Sequence, residues 1–281
     1  MKFVLTSFMA LVLGGAVARA QTSLGVPESP IAGIVDQRDY SDSINGCGPA
    51  SILNLLKFSK SGYQEIYHGL VGSNDGVRMR FVVDRYFRNR RSVVHPDQKR
   101  WGPHGIQTAD LVTGLNELLA DGGEPRLKGQ YLDREEGESA GKHLARSHDM
   151  IVASLKNGVM PVLSLRSYVV RNQDEGAISP AWETSRHHNL VVTSVPRPPS
   201  SAGFEVIALD PWMGRAVELY FHIEGNAQAF RALKGVSETG EWLSGEPFLQ
   251  VVAPESSSLQ PLDLKWSERF IVVANFLIGD F

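Results

Sequence analysis

The sequence predicts an α+β fold, with helices from its first half packed on a mostly antiparallel sheet supplied by its second half. Three observations predict it. Apolar residues recur at helical spacing up to about residue 158. From residue 159 onward the pattern changes to short β-branched runs. These runs are separated by Pro, Ser and Gly turns rather than by helices, which argues against a series of βαβ units.

Each element follows from local chemistry. Residues 21–35 are punctuated by Pro and Gly and read as an N-terminal extension; residues 36–281 read as one domain. A first helix covers Pro49–Phe58, with Ile52, Leu55 and Leu56 on one face and Pro49 in the first turn, where a missing N–H costs nothing. A second fits Val77 to about Phe87. The basic run "RYFRNRR" at Arg85–Arg91 reads as its solvated end. A third helix is "TADLVTGLNELLADGG", with Thr108 as its cap and Gly122–Gly123 ending it. "DMIVASLKNG" is a fourth, closed by Gly158. Strands follow at "VMPVLSLRSYVV", "HNLVVTSV", "FEVIALD", "RAVELYF", "FLQVVAP" and "RFIVVANF". The second and third of these are joined by "PRPPSSAG", a hairpin-like connection.

Composition is that of a packed globular chain, with 42% apolar and 21% charged residues. The N-terminus differs. "MKFVLTSFMALVLGGAVARA" has one early positive charge, an apolar run, and small residues at Ala18 and Ala20. This is the pattern of a secretory signal peptide over residues 1–20, cleaved near Ala20. Its apolar run is too short for a spanning helix, so no membrane span is expected after its removal. The mature chain is expected to be exported, most simply to a bacterial periplasm. Removing Lys2 and Arg19 leaves 26 basic against 31 acidic residues, a net charge of −5. That balance argues against a nucleic-acid partner.

Export makes the cysteine usage informative. Cys47 is the only cysteine, so it has no intrachain disulfide partner. A buried inert thiol or an intermolecular disulfide would account for a lone cysteine. Neither accounts for the flanks in "SINGCGPASILNLLKF". Cys47 stands between Gly46 and Gly48 at a helix start, where glycines permit tight turns and close approach of a substrate. A helix N-terminus carries roughly half a positive charge and lowers a thiol's pKa. The backbone N–H of Cys47 can also face a developing oxyanion.

A thiol nucleophile needs a base, and the base needs an orienting group. His68, His95, His104, His143, His148 and His222 lie in polar or irregular contexts and read as surface residues. His187 and His188 stand at the entry to the apolar run "NLVVTSV". Asp210 ends the next run, "FEVIALD", and antiparallel pairing brings one strand's start near the next strand's end. A structural histidine and a turn aspartate before Pro211 are the ordinary readings of these residues taken singly. Cys47, a histidine and Asp210 together form an ordered nucleophile–base–orienter set. No metal site is expected, because one cysteine and an adjacent histidine pair lack ligand spacing, and no cofactor is implied.

The segments "NGCGPAS", "HNLVVTSV" and "ALDPWMG" together resemble papain-like cysteine peptidases of the C39 (bacteriocin-processing) type, especially the stand-alone C39-like proteins. "GIQTADLVTGLNELL", "LKNGVMPVLSL" and "DPWMGRAVELYFHIEGNAQAF" resemble the family's intervening segments, so the likeness is clearest over residues 37–232. The resemblance implies a papain-like fold and a thiol–imidazole hydrolase acting on a peptide or protein. It implies Cys47 as nucleophile, His188 as base and Asp210 as orienter. His188 rather than His187 matches the family's spacing to the Val-rich strand. The family often carries a Gln about six residues before the cysteine as an oxyanion donor. Position 41 here is Ser, which leaves Gln37 and Asn45 as oxyanion-hole candidates. Familiar C39 domains are fused to exporters and face the cytosol, so cleavage at a double-glycine site is not implied for an exported chain. A thiol acyl- or peptidyl-transferase and a catalytically silent peptide-binding protein of the same fold are the alternative functions.

Overall fold

A computed structural model describes residues 24–25, 33–103, 105–171, 181–212, 214–224, 229–232, 240–243, 248–260 and 269–281. The signal segment 1–20 and most of the 21–35 extension lie outside the described residues. In chain order the helices are α1 (Cys47–Phe58), α2 (Ser61–Gly69), α3 (Asp75–Val83), α4 (Thr108–Asp121) and α5 (Ala140–Lys156). The strands are β1 (Leu24–Gly25), β2 (Trp101–Gly102), β3 (Gly105–Ile106), β4 (Lys128–Tyr131), β5 (Val162–Arg171), β6 (Ala181–Val195), β7 (Phe204–Asp210), β8 (Arg215–Glu224), β9 (Ala229–Ala232), β10 (Gly240–Leu243), β11 (Phe248–Val252) and β12 (Arg269–Gly279). Among the described residues, no helix is long and apolar enough to cross a membrane.

The strands are antiparallel, as expected, but they do more than form a sheet. They run β6–β5–β12–β11–β8–β7, and β7 pairs back onto β6. Six strands therefore close into a barrel, with β1 and β4 attached at its margins. Closure requires bent strands. Register shifts interrupt the β5–β6 ladder between Ser167 and Tyr168, the β6–β7 ladder between Val192 and Ser194, and the β5–β12 ladder between Ala274 and Phe276.

Cross-strand partners share a face. Val217 pairs Ala208, Leu219 pairs Val206, and Phe221 pairs Phe204, all of them buried, while the alternate residues Ala216 and Glu218 are exposed. The same inner face continues through Val192, Leu190, Leu163, Leu165, Ala274, Leu249 and Val251. Phe221 stacks on Phe204 at 4.8 Å between ring centroids.

The helical half covers the outer face of β5 and β6. Ser51 of α1 donates its hydroxyl to the Asn189 carbonyl of β6 at 2.9 Å. Lys60 N–H reaches the Gly158 carbonyl at 2.8 Å, and Met160 N–H reaches Ser59 Oγ at 3.0 Å. The second predicted helix is α3, capped by Asn74, followed by a π-helical turn over Asp84–Arg88. In "RYFRNRR" the arginines face solvent, but Tyr86 and Phe87 are core. Phe87 lies against Gly114 of α4, where an added Cβ would fall 2.3 Å from its ring.

Several expectations are corrected. Thr108 does not cap α4: Gln107 holds the cap position, and no side chain caps the helix there. The fourth helix, α5, begins at Ala140, well ahead of the predicted start. His143 and His148 are not surface residues. His143 is fully buried with Nε2 on the Leu132 carbonyl at 2.8 Å, and burial holds its pKa below the usual value. His148 packs edge-on against Phe204.

Phe221 is the test of the barrel interior. Phe221→Ala should cost about 3–5 kcal/mol, read as a lower midpoint in urea unfolding. An unchanged midpoint would mean that its ring is not in a packed core.

Candidate functional site

Cys47 is the first residue of α1 and is half-buried. At that position its own N–H and that of Gly48 have no intrahelical acceptor. Neither flanking glycine is there for an unusual backbone angle. Gly46 has an ordinary φ of −77°. It is small because Gln37 packs against it: an added Cβ would lie 3.2 Å from the Gln37 side chain and carbonyl. At Gly48 a Cβ would lie 3.1 Å from Leu111.

The chain approaching Cys47 is held on both sides. Asn54 of α1 pairs with the Val35 backbone through both its amide atoms, at 2.8 and 3.2 Å. Gln37 N–H then donates to the Pro211 carbonyl at 2.8 Å, one residue past Asp210. The two oxyanion candidates have different surroundings. Gln37 is buried beside the Gly46–Cys47 turn. Its Nε2 donates to the Ser43 carbonyl at 2.6 Å, and its Oε1 is buried without a partner. Asn45 turns its amide toward the Asp42 carboxylate and the Pro103 carbonyl.

His188 and Asp210 come from the barrel. Registered pairing between β6 and β7 ends at Val191–Leu209, and the two residues lie just beyond it. There His188 Nε2 meets Asp210 Oδ1 at 2.7 Å, with both side chains buried. Asp210 also accepts from Trp212 N–H at 2.7 Å and from Ser256 Oγ at 2.7 Å. With Nε2 on the carboxylate, Nδ1 is left free for the thiol, and Cys47 and His188 are close enough for each to shift the other's pKa. The structure thus brings Cys47, His188 and Asp210 together.

Asn189 is a site residue that the sequence did not single out. Its Nδ2 approaches Cys47 Sγ at 3.5 Å. Ser164 donates to Asn189 Oδ1 at 2.5 Å, which fixes the amide so that its N–H side faces the thiol. The only sequence signal for Asn189 was its place directly after His188.

The electrostatics follow from these contacts. Burial opposes ionisation of Cys47, but the His188 hydrogen bond and charge, with the Asn189 donors, outweigh it and lower the thiol pKa. Burial likewise opposes a charged His188; the Asp210 hydrogen bond and the Cys47 sulfur outweigh that and raise it to about 9. Burial raises Asp210, but His188, Ser256 and Trp212 bring it below the usual carboxylate range. The favoured state is a thiolate–imidazolium pair on a buried carboxylate. Such a set can attack an electrophilic carbonyl and return a proton to the leaving group.

His187 has a different environment. It pairs with Arg166 across β5–β6, and burial, Arg166 and His188 together lower its pKa to about 3. It is therefore neutral, and its Nε2 is buried without a partner. Among the described residues no group of three or more His, Cys, Asp or Glu is placed to hold a metal ion. No protein-family model, curated protein or solved structure matches this chain.

These shifts predict the pH dependence of thiol reactivity. A lowered thiol pKa and a raised imidazole pKa mean that alkylation by iodoacetamide becomes fast at lower pH than for a free cysteine. A free cysteine would wait for its pKa of about 8.5. A further change is expected near pH 9, where His188 loses its proton. Asn189→Ala should shift the acid limb upward and slow alkylation at pH 6 a few-fold, roughly the worth of one hydrogen bond to a charged group. A single limb centred near 8.5 in the wild-type protein would rule out the ion pair.

Proposed function

We propose that this protein is an exported thiol hydrolase, a cysteine peptidase of papain-like, C39-like type that cleaves peptide or amide bonds. The observation that carries this reading is the half-buried thiol at the α1 N-terminus, held by the Asn189 amide at 3.5 Å and electrostatically coupled to the neighbouring His188, whose Nε2 is held by a buried carboxylate at 2.7 Å. A surface cysteine or a structural histidine needs no such arrangement. The helical half set against an antiparallel barrel, with the thiol from one and the imidazole from the other, is consistent with the papain-like fold that the sequence resembles.

In the proposed reaction the Cys47 thiolate attacks the carbonyl carbon. The carbonyl oxygen takes up negative charge beside the free N–H groups at the α1 start, with the second Nε2 hydrogen of Gln37, whose side chain packs against Gly46, as the side-chain donor candidate. His188 then protonates the leaving amine, and a thioester remains on Cys47. Water, deprotonated by His188, resolves the thioester and frees the acid. Asp210 keeps Nε2 occupied and stabilises the imidazolium. Resolution by an amine instead of water would make the same site a transferase, and product analysis with an added amine separates the two.

Cys47→Ala should abolish hydrolysis while leaving the unfolding midpoint near that of the wild-type protein. Cys47→Ser should lose most of the rate, since an alcohol has a far higher pKa than a thiol. His188→Ala should remove the base and move alkylation toward pH 8.5, whereas Asp210→Asn should fall between it and wild type. His187→Ala should leave a hydrolase. An inactive His187→Ala with an active His188→Ala would exchange the two roles. Full hydrolysis by Cys47→Ser would remove the thiol from the mechanism.

Mass spectrometry of the exported protein should place its N-terminus at or near Gln21. Retention of residues 1–20 would count against release to the periplasm.

A further inference from the structure

We infer that Arg166 and His187 form a carboxylate-recognition subsite beside Cys47, so that the preferred substrate carries an anionic group close to the scissile bond. This rests on the peptidase reading and names a substrate class for it.

The pair is placed by strand register. Arg166 of β5 and His187 of β6 are direct partners, as are Ser164 and Asn189. Side chains two apart on a strand share a face. Arg166 and His187 therefore stand on the face from which Asn189 reaches the Cys47 sulfur, one pleat repeat, or about 7 Å, along it. The ladder shifts only beyond Ser167, so register is regular between the two pairs.

The pair also lacks what such groups normally have. A guanidinium nitrogen removed from water is usually met by an acceptor. Among the described residues, Arg166 has no ion-pair partner, and its Nε is buried with no acceptor. Beside it, the neutral His187 has a buried Nε2 with no partner. Each residue is partly exposed as a whole, so an incoming ligand meets the terminal guanidinium nitrogens of Arg166 rather than the buried Nε and Nε2. A planar carboxylate suits the guanidinium edge formed by the two terminal nitrogens, with the His187 ring packed beside it, and charge-assisted hydrogen bonds are the strong ones. At one pleat repeat from Asn189, whose amide reaches the sulfur, that carboxylate belongs to a residue next to or near the one whose carbonyl is attacked. It is either an acidic side chain or the terminal carboxylate of a short peptide.

Alkylation of Cys47 by chloroacetyl-peptides tests this without requiring hydrolysis. One pair of probes is chloroacetyl-Glu-amide and chloroacetyl-Gln-amide, which differ only in the side-chain charge. The second is chloroacetyl-Ala and chloroacetyl-Ala-amide, which differ only at the terminus. Rates are read by mass spectrometry of the full chain at neutral pH and low salt. The anionic member of one pair should react about tenfold faster than its neutral partner, the worth of one charge-assisted hydrogen bond. The pair that discriminates names the carboxylate's source. Because the ratio is taken within each variant, a general change in thiol reactivity cancels. The ratio should fall to near one in Arg166→Gln, and Arg166→Lys should retain part of it. Equal rates in both pairs, or a preference that survives Arg166→Gln, would overturn the proposal. Slow reaction of Cys47 with every probe and with iodoacetamide would instead count against the peptidase reading.

Discussion

The site depends on one buried interaction, the 2.7 Å contact between His188 and Asp210. Main-chain pairing of β6 and β7 has stopped at Val191 and Leu209, so beyond that point side chains must hold the strands together. Burying a carboxylate is costly unless its oxygens are all met by donors. Asp210 meets that condition with His188 and Trp212 N–H on Oδ1 and Ser256 on Oδ2. The next residue, Pro211, gives its carbonyl to Gln37 N–H, which ties the segment leading to Cys47 to the same turn. The aspartate turn therefore fixes the imidazole directly and the nucleophile's approach indirectly.

That dependence explains why the thiol and imidazole are ionised together. Neither half supplies the charge balance alone. The helical half offers a thiol at a helix end, and burial works against its ionisation. The barrel offers an imidazole on a carboxylate, and burial works against its protonation as well. Brought together, each charged group removes the other's penalty.

The parts of the site legible in the sequence are those set by local chemistry and chain order. A cysteine ahead of Pro49 and an apolar helical run, a histidine at a strand entry, and Asp210 closing the next strand can be read without the fold. What was missed comes from contacts between distant segments. Barrel closure rests on β7 returning to β6, and on β12 lying between β5 and β11, and no strand carries a mark of that. Ser164 and Ser256 matter only through residues they meet across the fold. α2, with Tyr63 and Tyr67 buried among polar neighbours, has too short an apolar pattern to stand out. His143 sits amid Gly, Lys and Arg, yet one face of α5 places it wholly inside. Gly46 and Gly48 were rightly singled out, but their reason is the space taken by Gln37 and Leu111 rather than turn geometry.

Strand alternation also constrains the site differently from the sequence expectation. Successive residues point to opposite faces, which is why His187 and His188 cannot share one role. The same rule places His188 and Asn189 on opposite faces, yet the Asn189 amide reaches the Cys47 sulfur and His188 acts on it electrostatically. Alternation is not broken there. Cys47 lies where α1 meets β6, past the last registered β6–β7 pair. One face delivers the imidazole and its carboxylate. The other delivers the Asn189 amide and, one repeat further along, His187 and Arg166. The adjacent histidines are thereby given separate environments. One is held charged at the thiol, and the other is held neutral by burial and by the guanidinium beside it.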